Sequence, residues 1–447
     1  MRKTNVKIVV IGGGPAGIGA AGAALGTDPT AQMDVFTEFE DAAYSPCGIP
    51  FVHGKEIDSF QRLFLATKEQ YDAQGIKIHY ETTVDSIDTR GHTISVRGRG
   101  KVPYDRLVIG TGWNYAAPGP DRRGLNGIYE VKNIRRAMEW DKYLDNVKEA
   151  VVVECGPIAL EMVSALTHRG IKTTVVDPGP WPMAGVVDPD IIDPITKDWA
   201  SKGVVAMWGE RVTAFGGNGT LEYVETSAGR VTAQLAIIGT RKIPNVALAE
   251  AAGVKLGSTG AVIVDARMQT SIADVFAAGD CVELPHGVTD IPLQGLSGSH
   301  AYAQGKVAGI NAAGGERTYQ PVYVPWGMLA GEWMIGGISF GETNARAVGI
   351  PHVCGVAKGI TRARYYPGVR PITVKLLADP KTHLLVGAQM VGGEGVKERA
   401  DFLGVAIRSG ITIDTLATME NVYSPAIGAL NEPIQMAAAE TLKKMPR

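Results

Sequence analysis

Cysteine is scarce in this chain. There are four in 447 residues, Cys47, Cys155, Cys281 and Cys354, widely spaced and with no CxxC pair. That argues against a secreted disulfide framework and against a zinc site, so no metal is expected and a cytoplasmic setting fits reduced thiols. A charge bias is lacking too. With 44 basic against 46 acidic residues the formal net charge is -2, which offers no electrostatic case for DNA, RNA or an anionic membrane. No apolar stretch approaches the roughly 18 uninterrupted residues of a membrane span. Met1-Arg2-Lys3 followed by an apolar run has the outline of a signal peptide. That run is too glycine-rich and reads as a strand entering a helix.

Glycine is plentiful, at 56 residues, and it is not periodic, which excludes collagen. The glycines gather where strands turn into helices, a place where backbone can approach phosphate closely. At about 100–200 residues per domain, the length suggests two or three domains. VKIVVIG at 6–12 reads as a buried parallel strand, the segment from Pro15 to Leu25 as a helix, and MDVFT at 33–37 as a second strand. The layout returns with EAVVVE at 149–154, a helix over 158–170 and KTTVVD at 172–177. VPYDRLVIGTG at 102–112 reads as one strand entering a glycine turn, QLAIIGT at 234–240 repeats the pattern, and SIADVFAAGDCVEL at 271–284 is a further buried strand. After about residue 325 alternating strands precede helices, an α+β pattern, and no low-complexity linker intervenes.

Gly12-Gly13-Gly14-Pro15-Ala16-Gly17 fits GxGxxG after a strand and at a helix start. The first glycine allows the tight turn, the second lets backbone approach a pyrophosphate, and the third lets helix and strand pack closely. A purely structural glycine turn is the plain alternative. A ribose-binding acid belongs about 20 residues on, and Glu38 is the candidate, with Thr37 beside it; spacing does not choose between them. Tyr44-Ser45-Pro46-Cys47-Gly48-Ile49-Pro50 follows the second strand, at the carboxyl end of the sheet where ligands bind in doubly wound folds. Cys47 is therefore either a reactive thiol or a buried structural one.

YSPCGIP resembles the active-site motif of the single-cysteine branch of the pyridine nucleotide-disulfide oxidoreductases. That branch includes coenzyme A-disulfide reductases, NADH oxidases and peroxidases, and NAD(P)H-dependent sulfur or polysulfide reductases. The resemblance extends over GGGPAG at 12–17, IGTG at 109–112, TSIADVFAAGD at 270–280, RYYPG at 364–368 and NVYSPAIGALNEPIQMAA at 421–438. It implies an α/β fold with two doubly wound, three-layer Rossmann-like dinucleotide-binding domains and a C-terminal α+β dimerisation domain. The boundaries expected are 1–115 with 245–325 for FAD, 116–244 for NAD(P), and 326–447 for dimerisation. It implies FAD contacts from Gly12, Gly14, Pro15, Ala16, Gly17, Thr37, Glu38, Ser45, Val84, Thr111, Gly112, Asp280 and Ala301. Cys47 is the implied redox sulfur, with Tyr423 and Tyr365, or its neighbour Tyr366, reaching it from the partner of a homodimer. Core packing is the plain alternative for both tyrosines.

The second loop departs from the family pattern. The family motif is GxGxxG and then a glutamate; Glu154-Cys155-Gly156-Pro157-Ile158-Ala159-Leu160-Glu161 keeps only the middle glycine, and a glutamate at the tight turn brings a side chain and a negative charge toward a pyrophosphate. Gly156, Ile158, Asp177 and Gly239 are the implied NAD contacts. Asp177 is followed by no arginine, which favours NADH over NADPH. The resemblance implies electron flow from NADH through the flavin to Cys47, whose thiolate attacks a disulfide or polysulfide; with O2 or peroxide the sulfur would cycle through a sulfenic acid. Residues 18–33 carry no Lys or Arg to meet coenzyme A phosphates, so that partner stays open alongside other small-molecule disulfides. Two other readings stand beside this one: an electron-transfer flavoprotein subunit with an impaired nicotinamide site, motivated by Glu154, and a flavin-binding module without catalysis.

Overall fold

The computed structural model describes residues 5–116, 124–319 and 321–446. The Met1-Arg2-Lys3 segment lies outside them. The chain forms two compact units. The first holds the residues up to Pro46, Ser59–Ala116 and Arg241–Val322; the second holds Cys47–Asp58, the described residues up to Thr240, and Tyr323 onward.

In the first unit five strands form a parallel sheet in the order Val275–Ala277, Arg106–Ile109, Lys7–Ile11, Gln32–Phe36, Ile76–His79. Val9, Val10, Leu107 and Val108 at its centre are fully buried, each worth about 1.5–3 kcal/mol of apolar burial. The helix Pro15–Thr27, PAGIGAAGAALGT, lies against Gly298–Ala312. Its small residues make that approach possible: a Cβ at Gly305 would meet Ala16 O at 2.0 Å, and one at Gly309 would meet Ala20 O at 2.0 Å. A three-stranded antiparallel sheet, Val84–Asp88, Thr93–Val96 and Gly100–Pro103, also belongs to this unit. The segment 102–112, expected as one strand, is two. Gly100–Pro103 pairs antiparallel with Thr93–Val96, and Arg106–Ile109 joins the parallel sheet. Pro103 has no N–H to continue a ladder, and the chain changes sheets at Tyr104 and Asp105.

The second unit repeats the parallel arrangement in the order Val205–Trp208, Lys172–Asp177, Glu149–Val153, Leu235–Ile238, Ile128–Glu130. Its C-terminal part is a five-stranded antiparallel sheet ordered Pro325–Ala330, Trp333–Ser339, Leu385–Gly392, Pro371–Ala378, Val353–Ile360. The helix Pro433–Leu442 covers the last of these strands so closely that a Cβ at Gly355 would meet Thr441 Oγ1 at 2.3 Å. A buried ion network ties this sheet to the helix Pro189–Ser201. Lys375 Nζ donates to Asp188 Oδ2 at 3.1 Å and Asp190 Oδ1 at 2.6 Å, while Asp188 also accepts from the N–H groups of Glu342 and Thr343. Both of these backbone bonds and Lys375 hold the Asp188 carboxyl below its ordinary range against the opposing effect of burial. Among the described residues no helix is long and apolar enough to cross a membrane.

Candidate active site

The glycine loop of the first unit joins the strand Lys7–Ile11 to the helix Pro15–Thr27. Gly12 has φ +116°, and a Cβ there would meet Gly110 O at 2.1 Å, so only glycine can make the turn. A Cβ at Gly17 would sit 1.9 Å from Gly12 O, so helix and loop are in backbone contact. At Gly14 a Cβ would meet nothing within 4 Å, and no side chain caps the helix. Pro15 fills the first helical position, where its missing N–H costs nothing, and Ala16 is buried against Gly279. This loop therefore offers uncapped amides and open space to a pyrophosphate, the group that FAD and NAD share.

The neighbouring candidates separate by exposure. Thr37 is buried, and its hydroxyl accepts from Phe39 N at 3.4 Å; Glu38 is exposed just past the strand Gln32–Phe36. Ala43 N donates to Gly13 O and Ser45 N to Leu63 O, which pins the segment leading to Cys47. Val84 is buried at the start of its strand, and Ala301 is buried on the helix Gly298–Ala312, 3.5 Å from where a Cβ on Gly279 would stand. Thr111 Oγ1 donates to Asn245 O at 2.6 Å, and Asn245 Nδ2 donates back to Thr111 O at 3.0 Å, with Gly112 at φ +69° in the turn between. Asp280 is buried, and Lys242 Nζ donates to its Oδ2 at 2.9 Å.

Cys47 belongs to the second unit, in the 3-10 turn Pro46–Gly48 that leads into the helix Ile49–His53. Of the four cysteines it is the exposed one, and none is in a disulfide. Burial pushes the thiols of Cys155 and Cys281 up, and that of Cys354 to about 11, so these three are poor thiolates at neutral pH. Tyr365 and Tyr423 lie with hydroxyls 3.1 Å apart, and that hydrogen bond pushes the Tyr423 phenol up. Tyr365 is 75% and Tyr423 46% exposed in the single chain, so neither is core packing. Tyr366 makes a separate contact, its ring 6.0 Å from the Arg362 guanidinium.

The second glycine loop keeps the path of the first. Glu154 N donates to Val176 O at 2.9 Å, as Gly12 N does to Phe36 O at 2.8 Å. Glu154 follows that path with φ +62°, a left-handed conformation costing a residue with a side chain about 1–2 kcal/mol. Gly239 supplies the room that the missing third glycine would give, since a Cβ on it would meet Ala159 Cβ at 2.6 Å and Glu154 O at 2.2 Å. Gly156 begins the helix Pro157–His168 without a side-chain cap, and Ile158 is in its first turn. The Asp177 carboxylate accepts from Cys155 N and Gly179 N, each at 2.6 Å.

Two residues of the first unit, Lys242 and Asn245, stand outside the motifs read from the sequence; they follow the strand turn at 234–240. Glu161, on the helix Pro157–His168, is mostly buried and its carboxyl is pushed up to about 8 by burial, with Glu56 adding to the effect. The KxPN run after the turn was the available signal for Lys242 and Asn245, while Glu161 ends the second glycine motif and only its burial was not legible.

Two strand–glycine–helix units, one exposed cysteine and a C-terminal antiparallel sheet define an oxidoreductase built around two dinucleotides. Residues 6–307 match the family model described as pyridine nucleotide-disulphide oxidoreductase, and residues 331–433 match the dimerisation domain of the same family. The chain belongs to the pyridine nucleotide-disulphide oxidoreductases. It is 34% identical to an NADH oxidase of Methanocaldococcus jannaschii, over 98% of this chain and 99% of that one. It is 29% identical to an NAD(P)H coenzyme A polysulfide/persulfide reductase of Pyrococcus horikoshii, over 97% of each. A solved NAD-dependent persulfide reductase from A. fulgidus superposes with a TM-score of 0.94 at 28% identity, covering 98% of this chain and 83% of that one. Membership implies FAD and a nicotinamide cofactor.

Proposed function

We propose that this enzyme reduces sulfur–sulfur bonds, in small disulfides, polysulfides or persulfides, with Cys47 as its redox sulfur, FAD in the first unit and NADH as preferred donor. The observation that carries the reading is Cys47, the one exposed thiol of the four, in the segment that follows the strand Gln32–Phe36. Three residues of chain separate it from Ala43, which is hydrogen-bonded to Gly13. The pyrophosphate of FAD would lie on Gly12, Gly14, Pro15, Ala16 and Gly17, its adenosine ribose on Glu38, and its ribityl chain on Asp280. Bound FAD would supply a two-electron store between nicotinamide and sulfur.

Cys47 thiolate attacks one sulfur of the substrate and displaces the other as a thiolate, leaving a mixed disulfide. Two electrons from NADH return the cysteine to thiolate and free the second product sulfur. The paired Tyr423 and Tyr365 hydroxyls can donate to a leaving sulfur, and we assign them to the Cys47 centre of the partner in a homodimer. The exposed apolar side chains of Val422, Ile427 and Leu430 near this pair support burial in such a dimer. The working assignment of domains is 1–115 with 245–325 for FAD, 116–244 for NADH and 326–447 for dimerisation, in a cytoplasmic enzyme.

NADH is favoured over NADPH because a 2′-phosphate at Asp177 would face a carboxylate, with Pro178-Gly179-Pro180-Trp181 following and no cation among them. Replacing Cys47 with serine should abolish NADH-dependent reduction of polysulfide and coenzyme A disulfide while the yellow flavin stays bound. Full turnover in that variant would end the proposal. The likeness to the Methanocaldococcus oxidase motivates a second reading, oxygen as acceptor. NADH consumption in air, matched by oxygen uptake and insensitive to added polysulfide, would favour it.

A further inference from the structure

We infer that Lys242 is a positioning residue of the flavin site: it holds the Asp280 carboxylate in place and sets a positive charge beside it that favours the reduced flavin. This rests on the assignment of Asp280 to FAD. Lys242 belongs to the short strand Lys242–Pro244, paired antiparallel with Trp113–Tyr115. That strand is fixed at its end by Asn245, which exchanges two hydrogen bonds with Thr111 and donates its own N–H to Gly112 O at 2.9 Å. The lysine thus stands on a short strand anchored to the turn that follows the strand Arg106–Ile109.

Its ammonium is directed on three sides. It donates to Asp280 Oδ2 at 2.9 Å and to Leu296 O at 3.0 Å, and it lies 4.7 Å from the centre of the Trp113 ring. The Asp280 side chain is 9% and the Lys242 side chain 31% exposed, so solvent screens this pair less than a surface ion pair. A flavin gains electrons on reduction. A fixed cation near it lowers the energy of the electron-rich form more than that of the oxidised form. Removing the lysine leaves the Asp280 charge without this cation, which acts in the same direction. The expected result is a lower midpoint potential.

The test compares the wild-type holoenzyme with K242M, K242R and D280N, by FAD retention and by the flavin midpoint potential in a dye-coupled titration. K242M should bind reduced FAD about tenfold less favourably relative to oxidised FAD, which for a two-electron couple is a fall of about 30 mV. K242R should restore the wild-type potential, and K242Q reports the same loss if K242M does not fold. A wild-type potential in K242M or K242Q, or an equal fall in K242R, overturns the inference. In those cases weak FAD binding by D280N would leave the assignment of Asp280 standing. A D280N protein with wild-type FAD affinity and potential would remove that assignment, and the inference with it.

Discussion

Glu161 makes the stability of the second unit depend on pH in the opposite direction to most carboxylates. Its folded-state value of about 8 lies above the ordinary 4.5, with burial as the main cause and Glu56 as the lesser one. Between those values the native state holds a proton that the unfolded chain has lost. Stability from this group is therefore complete below about pH 4.5 and drains away as pH rises toward 8. The slope is about 1.4 kcal/mol per pH unit, so pH 5 to 8 spans an upper bound of about 4 kcal/mol. Glu161 is not fully buried, and relaxation with water entry reduces this to roughly 2 kcal/mol. The perturbation is Glu161→Gln, which keeps shape and removes the titration. Urea unfolding followed by the fluorescence of Trp140 and Trp199, both buried in this unit, reads the effect. The variant should match the wild type near pH 5 and exceed it by roughly 2 kcal/mol at pH 8.5. Parallel pH curves for the two proteins would refute the reasoning.

Gly17→Ala places a Cβ 1.9 Å from Gly12 O, so the purified protein should lose most of its bound FAD, read as the ratio of visible to ultraviolet absorbance. Glu154→Gly removes a left-handed side chain and a charge from the second loop. Relief of strain less the extra freedom of glycine comes to about 1 kcal/mol of stability, and KM for NADH should fall severalfold with kcat little changed. Lys375→Met strands Asp188 and Asp190 and should cost about 3–5 kcal/mol in unfolding experiments, with part of the loss recovered in a double variant that also carries Asp188→Asn.

The strands and helices that carry both glycine loops were legible because their signals are local. KTTVVD is the strand Lys172–Asp177 as expected, and proline at the first helical position marks both Pro15 and Pro157. The segment 102–112 misled because its apolar pattern runs on past Pro103 while the chain changes sheets. Which side chains meet was not legible. Lys242 pairs with Asp280 from 38 residues away, and Lys375 with Asp188 from 187, and such partners leave no trace in spacing. Glu154 is the instructive case. The substitution reads as damage, yet the backbone accepts the left-handed conformation and Gly239 makes the room, a compensation more than 80 residues away in the chain.

The route of the chain carries a consequence for its birth on the ribosome. It passes from one compact unit to the other after Pro46, after Asp58, in the region of 116–124, after Thr240 and after Val322, so neither unit is a continuous stretch. The parallel sheet of the first unit lacks its edge strand, Val275–Ala277, until well over half of the polypeptide has been made. Leu107 must wait for a partner 168 residues downstream. An N-terminal fragment ending before that strand exposes an unpaired apolar sheet edge, which invites aggregation and chaperone capture during synthesis.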